Sequence, residues 1–331
     1  MEDCSNACDC VGSRKYPRCH LVIHKGSRNA LNQSFKTVAI VARRQTDAIE
    51  ASINAVEAVF HQRGVKVLFG SQTLAALPGA NGISRESVAE EDMGSAADLV
   101  VVVGGDGSLL GFGREMAASA VPVVGVNRGG LGFLAAISPD QIDIKFTEIL
   151  DGQFTTEEHF LLQASILRDG EVIAQQSALN DVVVSPGGVM GMMEFSLWLD
   201  DEFVYDQRSD GLIVASPTGS TAYALSAGGP IMHPGLDAIV VVPMFPHTLT
   251  SRPLVVPGNN VLRLRLQNSS STSPQISCDS QVQIKFQAGD EIQIRKHPNA
   301  LTLLCPSDHS FYEACRSKLD WASRLGGQKL S

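Results

Sequence analysis

The first half of the chain alternates short apolar runs with segments whose apolar residues recur at helical spacing. Strand-length apolar runs lie at 37–42, 65–69, 99–103 and 121–126. Helical spacing is found at 48–60, which Gly64 ends, and again at 109–118. Strands that are apolar throughout and alternate with helices are typical of a parallel sheet covered on both faces. The pattern predicts a Rossmann-like α/β domain.

After about residue 150 the pattern changes to short strands separated by turns. Strands are predicted at 160–168, 171–176, 181–185, 194–199, 212–215, 239–242, 261–266, 281–286, 291–294 and 301–304. Turn signals such as Asp169-Gly170 and Gly289-Asp290 separate several of them. Helical spacing returns only at 221–227 and 311–322. A second, β-rich and sandwich-like domain is expected.

The length of 331 residues is sufficient for two domains with cores of their own. We predict a flexible N-terminal extension at 1–35, the α/β domain at 36–145 and the β-rich domain at 146–305. The segment 306–331 is expected to form a C-terminal helix that packs back on the first domain. Four of the seven cysteines (Cys4, Cys8, Cys10 and Cys19) lie in the extension. Their spacing misses the paired pattern of zinc sites, so a flexible tail is favoured over a zinc site.

Charge and cysteine usage narrow the function classes. The formal net charge of −9 argues against a nucleic-acid partner, which requires a basic surface. The odd cysteine count is unlike a secreted disulfide scaffold, and no signal-peptide pattern begins the sequence. No apolar run approaches the roughly 20 residues that span a bilayer. A cytoplasmic protein without a membrane partner is therefore expected.

The strongest chemical signal is the loop Gly104, Gly105, Asp106, Gly107 and Ser108, between a buried strand and a helix. Glycines there let backbone N–H groups approach a phosphate, and the helix N-terminus favours an anion. A carboxylate in such a loop requires a task, such as accepting a proton from a hydroxyl or holding a cation near the phosphates. The alternative is structural, with Asp106 as a helix N-cap and the glycines as a turn.

Three common motifs are missing from the sequence. It has no G-x-x-x-x-G-K-[ST], no G-x-G-x-x-G opening the first helix and no H-E-x-x-H. The glycine loop is therefore neither a Walker A loop nor a dinucleotide fingerprint, and zinc catalysis is unsupported.

Two further groups of polar residues lie in the second half. Asn180 and Asp181 precede an apolar strand, where an Asx turn is the structural alternative. After Arg208 and Asp210, a strand leads into a segment rich in Ser, Thr and Gly that offers donors to a phosphate or ribose. Tyr223 follows this segment and could stack on a base, although a core position is the commoner role of tyrosine.

The motifs GGDGS, LND at 179–181 and DGLIVASPTGSTAYALSAGGPIMHP resemble those of the NAD kinase family, from about residue 37 to about 305. The PHTL segment at 246–249 is similar to the proteobacterial branch. The resemblance implies an NAD kinase-like fold. It also implies transfer of the γ-phosphoryl group of ATP to the 2′-hydroxyl of the adenosine ribose of NAD, giving NADP and ADP. A divalent cation such as Mg²⁺ and a homodimer or homotetramer are implied as well.

Carried over by motif, the resemblance makes Asp106 the proton acceptor. The residues implied to bind NAD are Asp106, Gly107, Asn180, Asp181, Arg208, Asp210, Thr221, Ala222, Tyr223, Ala224, Leu225, Ser226 and Gln281. The loop residues Gly104, Gly105, Gly107 and Ser108 would hold the ATP phosphates, and no metal ligands are assigned. The chain departs from the family pattern at Ser280, where glycine is usual before Gln281, and at Ser108, where threonine is commoner.

The GGDGS loop alone is also found in 6-phosphofructokinases and lipid kinases. The acidic segment that phosphofructokinases carry downstream is absent, because 124–130 reads VGVNRGG. A lipid kinase would leave the second-domain motif unexplained. A nucleotide-binding regulator without turnover is the alternative from another class. The sequence leaves open whether polyphosphate replaces ATP and whether NADH is accepted.

Overall fold

The computed structural model describes residues 35–44, 46–77, 85–128, 132–187, 191–267, 274–319 and 321. The predicted extension 1–35 lies outside these ranges except for Phe35, as does the end of the predicted C-terminal segment. Phe35 is 5% exposed, and its ring centroid lies 5.8 Å from that of Phe154. Phe35 therefore belongs to the packed core of the described structure.

The N-terminal part forms the predicted α/β arrangement. Its strands are β1 (Thr37–Val41), β2 (Lys66–Gly70), β3 (Glu86–Val88), β4 (Leu99–Gly104) and β5 (Val123–Asn127). Its helices are α1 (Asp47–Gln62), α2 (Ser71–Ala76), α3 (Met93–Ala96), α4 (Asp106–Met116) and α5 (Ile142–Leu150). The strands pair in parallel in the order β5-β4-β1-β2-β3. The prediction of a parallel sheet is confirmed.

The sheet is covered on both faces, as its apolar strands require. Val101 and Val103 of β4 pack in the cluster formed with α1 and α5, whereas Val100 and Val102 pack with α4 on the other face. Helix α1 begins at Thr46, whose hydroxyl accepts a hydrogen bond from the Ile49 N–H group at 3.2 Å. Its apolar stripe faces the sheet, and α5 packs beside it.

The second half is rich in antiparallel strands. They are β6 (Phe154–Arg168), β7 (Glu171–Ala178), β8 (Asp181–Ser185), β9 (Met193–Leu199), β10 (Glu202–Ser209), β11 (Gly211–Ala215), β12 (Ala238–Met244), β13 (Leu254–Pro257), β14 (Leu262–Leu266), β15 (Gln275–Cys278), β16 (Val282–Lys285) and β17 (Glu291–Pro306). The helices are α6 (Tyr223–Ser226) and α7 (Phe311–Leu319), and short 3₁₀ turns lie at Glu90–Asp92, Pro139–Gln141 and Thr218–Thr221.

Two sheets enclose the second core. Over the described residues, one has six strands in the order β13-β12-β11-β8-β15-β16. The other joins β10-β9-β14-β17, with β6 and β7, to the parallel sheet through β5. Apolar residues of both sheets, such as Val182 and Leu212 from one and Phe195 and Ile294 from the other, meet in one cluster. The sandwich-like prediction is confirmed, and the larger sheet runs through both halves of the molecule.

Some predicted elements differ from those observed. The segments predicted as separate strands at 291–294 and 301–304 are one strand, β17, because the polar residues between them pass through a register shift between Lys296 and Ala300 while pairing with β6. The predicted helix 221–227 is instead the 3₁₀ turn Thr218–Thr221 followed by the single turn α6, since the backbone departs from helical geometry at Ala222. The predicted helix 109–118 begins three residues earlier, at Asp106. Helix α5 spans the expected boundary at 145.

Candidate functional site

Asp106 lies at the carboxyl edge of the parallel sheet, two residues beyond β4 and at the start of α4. Its carboxylate accepts hydrogen bonds from the N–H groups of Phe133 at 3.0 Å, Leu134 at 3.4 Å and Ala135 at 3.1 Å. The N-cap of α4 is Gly105, which has no side chain to cap the helix. The carboxylate therefore binds a neighbouring loop and not its own helix, which removes the purely capping role considered from the sequence.

Gly132 permits this arrangement. A Cβ atom at that position would lie 2.1 Å from Oδ1 of Asp106, closer than any real contact. A side chain there would push the carboxylate away from the backbone donors that hold it. Glycine is therefore required at 132 for the backbone to approach Asp106 closely.

Lys318 is a residue of this site that sequence reasoning missed. It lies on α7, and its Nζ atom is 3.6 Å from Oδ2 of Asp106. Nζ also lies 5.8 Å from the ring centroid of Phe133, which packs against Phe311 of the same helix. The expectation that the C-terminal helix returns to the first domain was the one signal that pointed towards it.

Asp279 is a second residue of the candidate site that the sequence alone does not single out. Its carboxylate accepts hydrogen bonds from the N–H groups of Leu179 at 2.9 Å, Asn180 at 2.7 Å and Asp181 at 3.2 Å. Arg114 of α4 pairs with it at 2.5 Å, and the two side chains are 9% and 0% exposed. This buried ion pair fixes the turn that carries Asn180 and Asp181 against the first half of the molecule.

Gln281 joins the two halves at the glycine loop. Its Nε2 donates to the carbonyl of Gly107 at 2.8 Å, while its Oε1 accepts from Arg114 at 2.8 Å and Arg43 at 3.1 Å. Ser280, where the family usually has glycine, adopts a left-handed φ of 55°. The structure thus keeps the turn geometry that glycine would favour and places Gln281 beside Gly107.

Asp181 is buried at 3% exposure, and its Oδ1 has no hydrogen-bond partner among the described residues. Burial raises the pKa of this carboxyl from 3.8 to about 7, with a further contribution from the negative charge of Asp279. A buried polar oxygen without a partner is costly unless something binds it. Asp181 is therefore suited to receive a ligand hydroxyl. The side chain of neighbouring Asn180 is half-buried.

The hydroxyl-rich loop after β11 packs directly on this turn. The Ser216 hydroxyl donates to the carbonyl of Leu179 at 2.5 Å, and the Ser216 N–H donates to that of Asn180 at 2.9 Å. A Cβ atom at Gly219 would lie 2.0 Å from the Asn180 carbonyl oxygen, so glycine is needed for this close approach. The second and third sequence motifs therefore form one structural unit.

The residues of the segment 221–226, which is predicted to contact the dinucleotide, differ in their exposure to solvent. Tyr223 is 42% exposed and Ser226 is also exposed, whereas Ala224 is fully buried in a small core cluster. Thr221, Ala222 and Leu225 are half-buried. Tyr223 is therefore exposed and does not take the core position that is the commoner role of tyrosine. Ala224 can contact a ligand only through its backbone.

Arg208 and Asp210 are exposed at the end of β10, an edge strand of the larger sheet. The Arg208 guanidinium lies 3.5 Å from the carboxylate of Glu194. Among the described residues, no hydrogen bond or ion pair connects Arg208 or Asp210 with Asp106. The structure therefore brings together Asp106, Gly107 and Gln281, and joins Asn180 and Asp181 to them through Arg114 and Asp279, but it does not bring Arg208 and Asp210 into this group.

Two family models match the chain, described as the ATP-NAD kinase N-terminal domain over residues 18–154 and the ATP-NAD kinase C-terminal domain over residues 179–304. The first match begins within the predicted extension 1–35. The NAD kinase of Ectopseudomonas mendocina is 48% identical over 295 residues, which are 89% of this chain and 99% of that protein. That of Teredinibacter turnerae is 48% identical over 294 residues, with the same coverage.

This chain belongs to the ATP-NAD kinase family. It is accordingly a kinase that phosphorylates NAD with ATP, and the matches support neither the 6-phosphofructokinase and lipid kinase alternatives nor the regulator without turnover. The proteobacterial character predicted from the sequence agrees with these relatives.

Solved structures bear out the NAD kinase-like fold. Yeast NADH kinase complexed with NADH has a TM-score of 0.79 at 25% identity, covering 90% of this chain and 91% of that chain. An NAD kinase from Archaeoglobus fulgidus in complex with ATP has a TM-score of 0.63 at 24% identity, covering 82% and 94% of the two chains. Separately, none of the helices in the described part of the chain combines the length and apolar character needed to cross a bilayer.

Proposed function

We propose that this chain transfers the γ-phosphoryl group of ATP to the 2′-hydroxyl of the adenosine ribose of NAD, with Asp106 as the proton acceptor. The observation that carries the proposal is the carboxylate of Asp106, oriented by three backbone N–H groups beside the glycine loop. Phosphoryl transfer requires positioning, charge neutralisation and an acceptor for the hydroxyl proton. A general base of this kind contributes about 10²–10⁴-fold to the rate.

The carboxylate has capacity left for a substrate hydroxyl. Each oxygen of Asp106 accepts at least one N–H group, and a carboxylate offers about four acceptor positions. The side chain is 29% exposed, so a bound hydroxyl can reach it. Lys318 lies too far from Oδ2 for a hydrogen bond, at 3.6 Å, which leaves its ammonium donors available to a phosphate oxygen.

NAD would lie against the unit formed by the turn at 179–181 and the loop after β11. In this proposal the unpartnered Oδ1 of Asp181 accepts a hydrogen bond from a ribose hydroxyl of NAD. The side-chain amide of Asn180 is available for a second hydrogen bond to NAD, and the ring of Tyr223 stacks on a ring of the dinucleotide. The complete set of proposed NAD contacts is Asp106, Gly107, Asn180, Asp181, Arg208, Asp210, Thr221, Ala222, Tyr223, Ala224, Leu225, Ser226 and Gln281. Because no hydrogen bond or ion pair among the described residues joins Arg208 or Asp210 to Asp106, their contribution depends on how the dinucleotide extends.

The glycine loop would hold the phosphates of ATP through Gly104, Gly105, Gly107 and Ser108 at the start of α4. Mg²⁺ is usually held by one or two carboxylates together with substrate phosphates and water. A single partly exposed carboxylate, Asp106, beside a phosphate-binding loop fits such an ion. When bound, Mg²⁺ neutralises the charge on the transferred phosphoryl group. We further propose a homodimer or homotetramer in the cytoplasm.

The test is a two-stage assay with ATP, Mg²⁺ and NAD, in which an NADP-specific dehydrogenase reports the product and ³¹P NMR locates the new phosphate on the 2′ position. Asp106→Asn is expected to lose at least about 100-fold in kcat while NAD still binds. Asp143→Asn, at an exposed aspartate of α5, is the matched control and should retain activity. Near-normal kcat in Asp106→Asn would remove Asp106 as the base.

The same assay settles which acceptor and donor are used. NADH replaces NAD in one series, and polyphosphate replaces ATP in another. The proposal predicts product from NAD with ATP. Product from NADH alone, or phosphorylation at another hydroxyl, would contradict it.

A further inference from the structure

Three metal-ligating side chains meet at the point where the chain leaves β17 for the C-terminal helix. One ligand atom from each of Glu157, Cys305 and His309 lies within 4.8 Å of the other two. None of these residues belongs to the set proposed to bind NAD or ATP. The cluster therefore requires an explanation separate from the proposed reaction.

The register of β6 and β17 creates the cluster. Glu157 is paired with Leu303 and Thr155 with Cys305 in this antiparallel ladder. Glu157 and Cys305 are thus diagonal neighbours on one face of the sheet, a spacing across which long side chains interact. His309 then returns towards them in a turn, in which its N–H group donates to the Pro306 carbonyl at 2.9 Å.

The potential ligand atoms are available for coordination. Within the described residues, neither the Cys305 thiol nor the His309 ring makes a hydrogen bond, although Cys305 is only 3% exposed. Glu157 uses one oxygen, Oε2, towards Nε2 of His159 at 3.3 Å and keeps the other. The Glu157 side chain is 39% exposed, so solvent and ions can reach the cluster.

A second layer of contacts holds Glu157 in place. His159 is 2% exposed, and its Nδ1 lies 2.8 Å from the hydroxyl of Thr218. The chain Glu157–His159–Thr218 orients the carboxylate as outer-shell hydrogen bonds orient the ligands of metal sites. It also connects the cluster with the 3₁₀ turn that precedes α6.

We propose that Glu157, Cys305 and His309 bind one Zn²⁺ ion or a similar borderline transition metal, with water as the fourth ligand. One thiolate, one imidazole and one carboxylate are ligands that Zn²⁺ accepts. Bond lengths of about 2.0–2.3 Å place tetrahedral ligand atoms about 3.3–3.7 Å apart, so rotation of side chains already within 4.8 Å closes the site.

Binding is coupled to a proton. As the ion enters, the Cys305 thiol releases its proton to solvent and Sγ bonds to the metal, so one proton is lost per ion bound by this residue. The bound ion would cross-link β6, β17 and the turn that leads into α7. Because α7 carries Lys318 to Asp106, the metal would fix the base of the helix that completes the proposed active site.

The experiment uses the full chain with Cys4, Cys8, Cys10 and Cys19 replaced by Ser, so that the N-terminal thiols do not compete. The protein is freed of metal with a chelator and titrated with Co²⁺, which reports thiolate coordination by a near-ultraviolet charge-transfer band, and then with Zn²⁺. We expect one equivalent to bind, the band to appear and Zn²⁺ to displace Co²⁺. Zn²⁺ should also raise Tm by several degrees.

Variants identify the ligands. Cys305→Ser is expected to abolish the band and weaken Zn²⁺ binding at least about 100-fold, since even outer-shell losses cost 10–100-fold. Glu157→Gln should weaken binding and keep the band, and it serves as the test if Cys305→Ser fails to fold by circular dichroism. Cys315→Ser, at a buried thiol of α7, is the control and should bind normally. Absence of the band in the parent, or equal affinity in the parent and the ligand variants, would overturn the proposal.

Discussion

The buried carboxyl of Asp181 leads to a prediction about how stability depends on pH. Its pKa in the folded chain is about 7, against an ordinary value of 3.8. The difference of about 3 units, at about 1.4 kcal/mol each, amounts to about 4 kcal/mol as an upper estimate. Asp181→Asn removes this ionisation and preserves the shape of the side chain.

The direction in which the free energy of unfolding changes with pH depends on whether the folded or the unfolded chain holds the proton of Asp181. Between about pH 4 and pH 7 the unfolded chain has released the proton of this carboxyl, whereas the folded chain retains it. The Asp181 term therefore lowers the free energy of unfolding as pH rises through this window, and the whole loss is present above pH 7. Below pH 4 the carboxyl is protonated in both states and makes no contribution of this kind.

The assay is urea unfolding of the parent, Asp181→Asn and the control Asp143→Asn at pH 5, 6, 7 and 8. The stability of Asp181→Asn relative to the parent should rise by about 2 kcal/mol from pH 5 to pH 7 and level off above it. The control should follow the parent within about 0.5 kcal/mol. A relative stability of Asp181→Asn that stays flat across this range would show that Asp181 is not buried as an unpaired carboxyl.

Three further predictions address the site. Asp181→Ala should raise the KM for NAD more than it lowers kcat, and an unchanged KM in initial-rate kinetics would remove Asp181 from the NAD site. Arg114→Ala should cost about 3–5 kcal/mol in urea unfolding because it leaves the buried charge of Asp279 without a partner; a loss below about 1 kcal/mol would contradict this. Lys318→Met should lower kcat at least about 10-fold with Lys318→Arg retaining most of it, whereas equal kcat in both would exclude a role for the charge.

Elements whose form depends on neighbouring residues in the sequence could be predicted from local patterns of apolar residues and glycines. The run at 99–103 is apolar at every position because β4 is covered on both faces, and this made a parallel sheet the natural prediction. The glycines at 104 and 105 marked the end of that strand, and the carboxyl edge of such a sheet is where ligands bind. The sequence therefore predicts the position of Asp106 at the end of β4, where the structure places it.

Contacts between segments that are distant in the sequence could not be predicted from local patterns. Asp279 has no local pattern that distinguishes it from other turn aspartates, and its role depends on the N–H groups of the turn at 179–181 and on Arg114. The sequence predicts two strands in place of β17 because the residues near Lys296 and Pro298 are polar, which is typical of a turn. In the structure these residues instead pass through a register shift within one long pairing with β6. In both cases the deciding partners are remote in sequence.

In the proposed site, the distribution of cations would allow a chain of net charge −9 to hold anionic substrates. Arg114 is committed to Asp279 and Gln281, so its charge serves the structure of the site. Lys318 is near Asp106 but outside hydrogen-bond distance, and its charge is available at the point where phosphate would arrive. Because this charge is delivered by the C-terminal helix, loss of that helix should impair turnover even with the glycine loop and the turn at 179–181 intact.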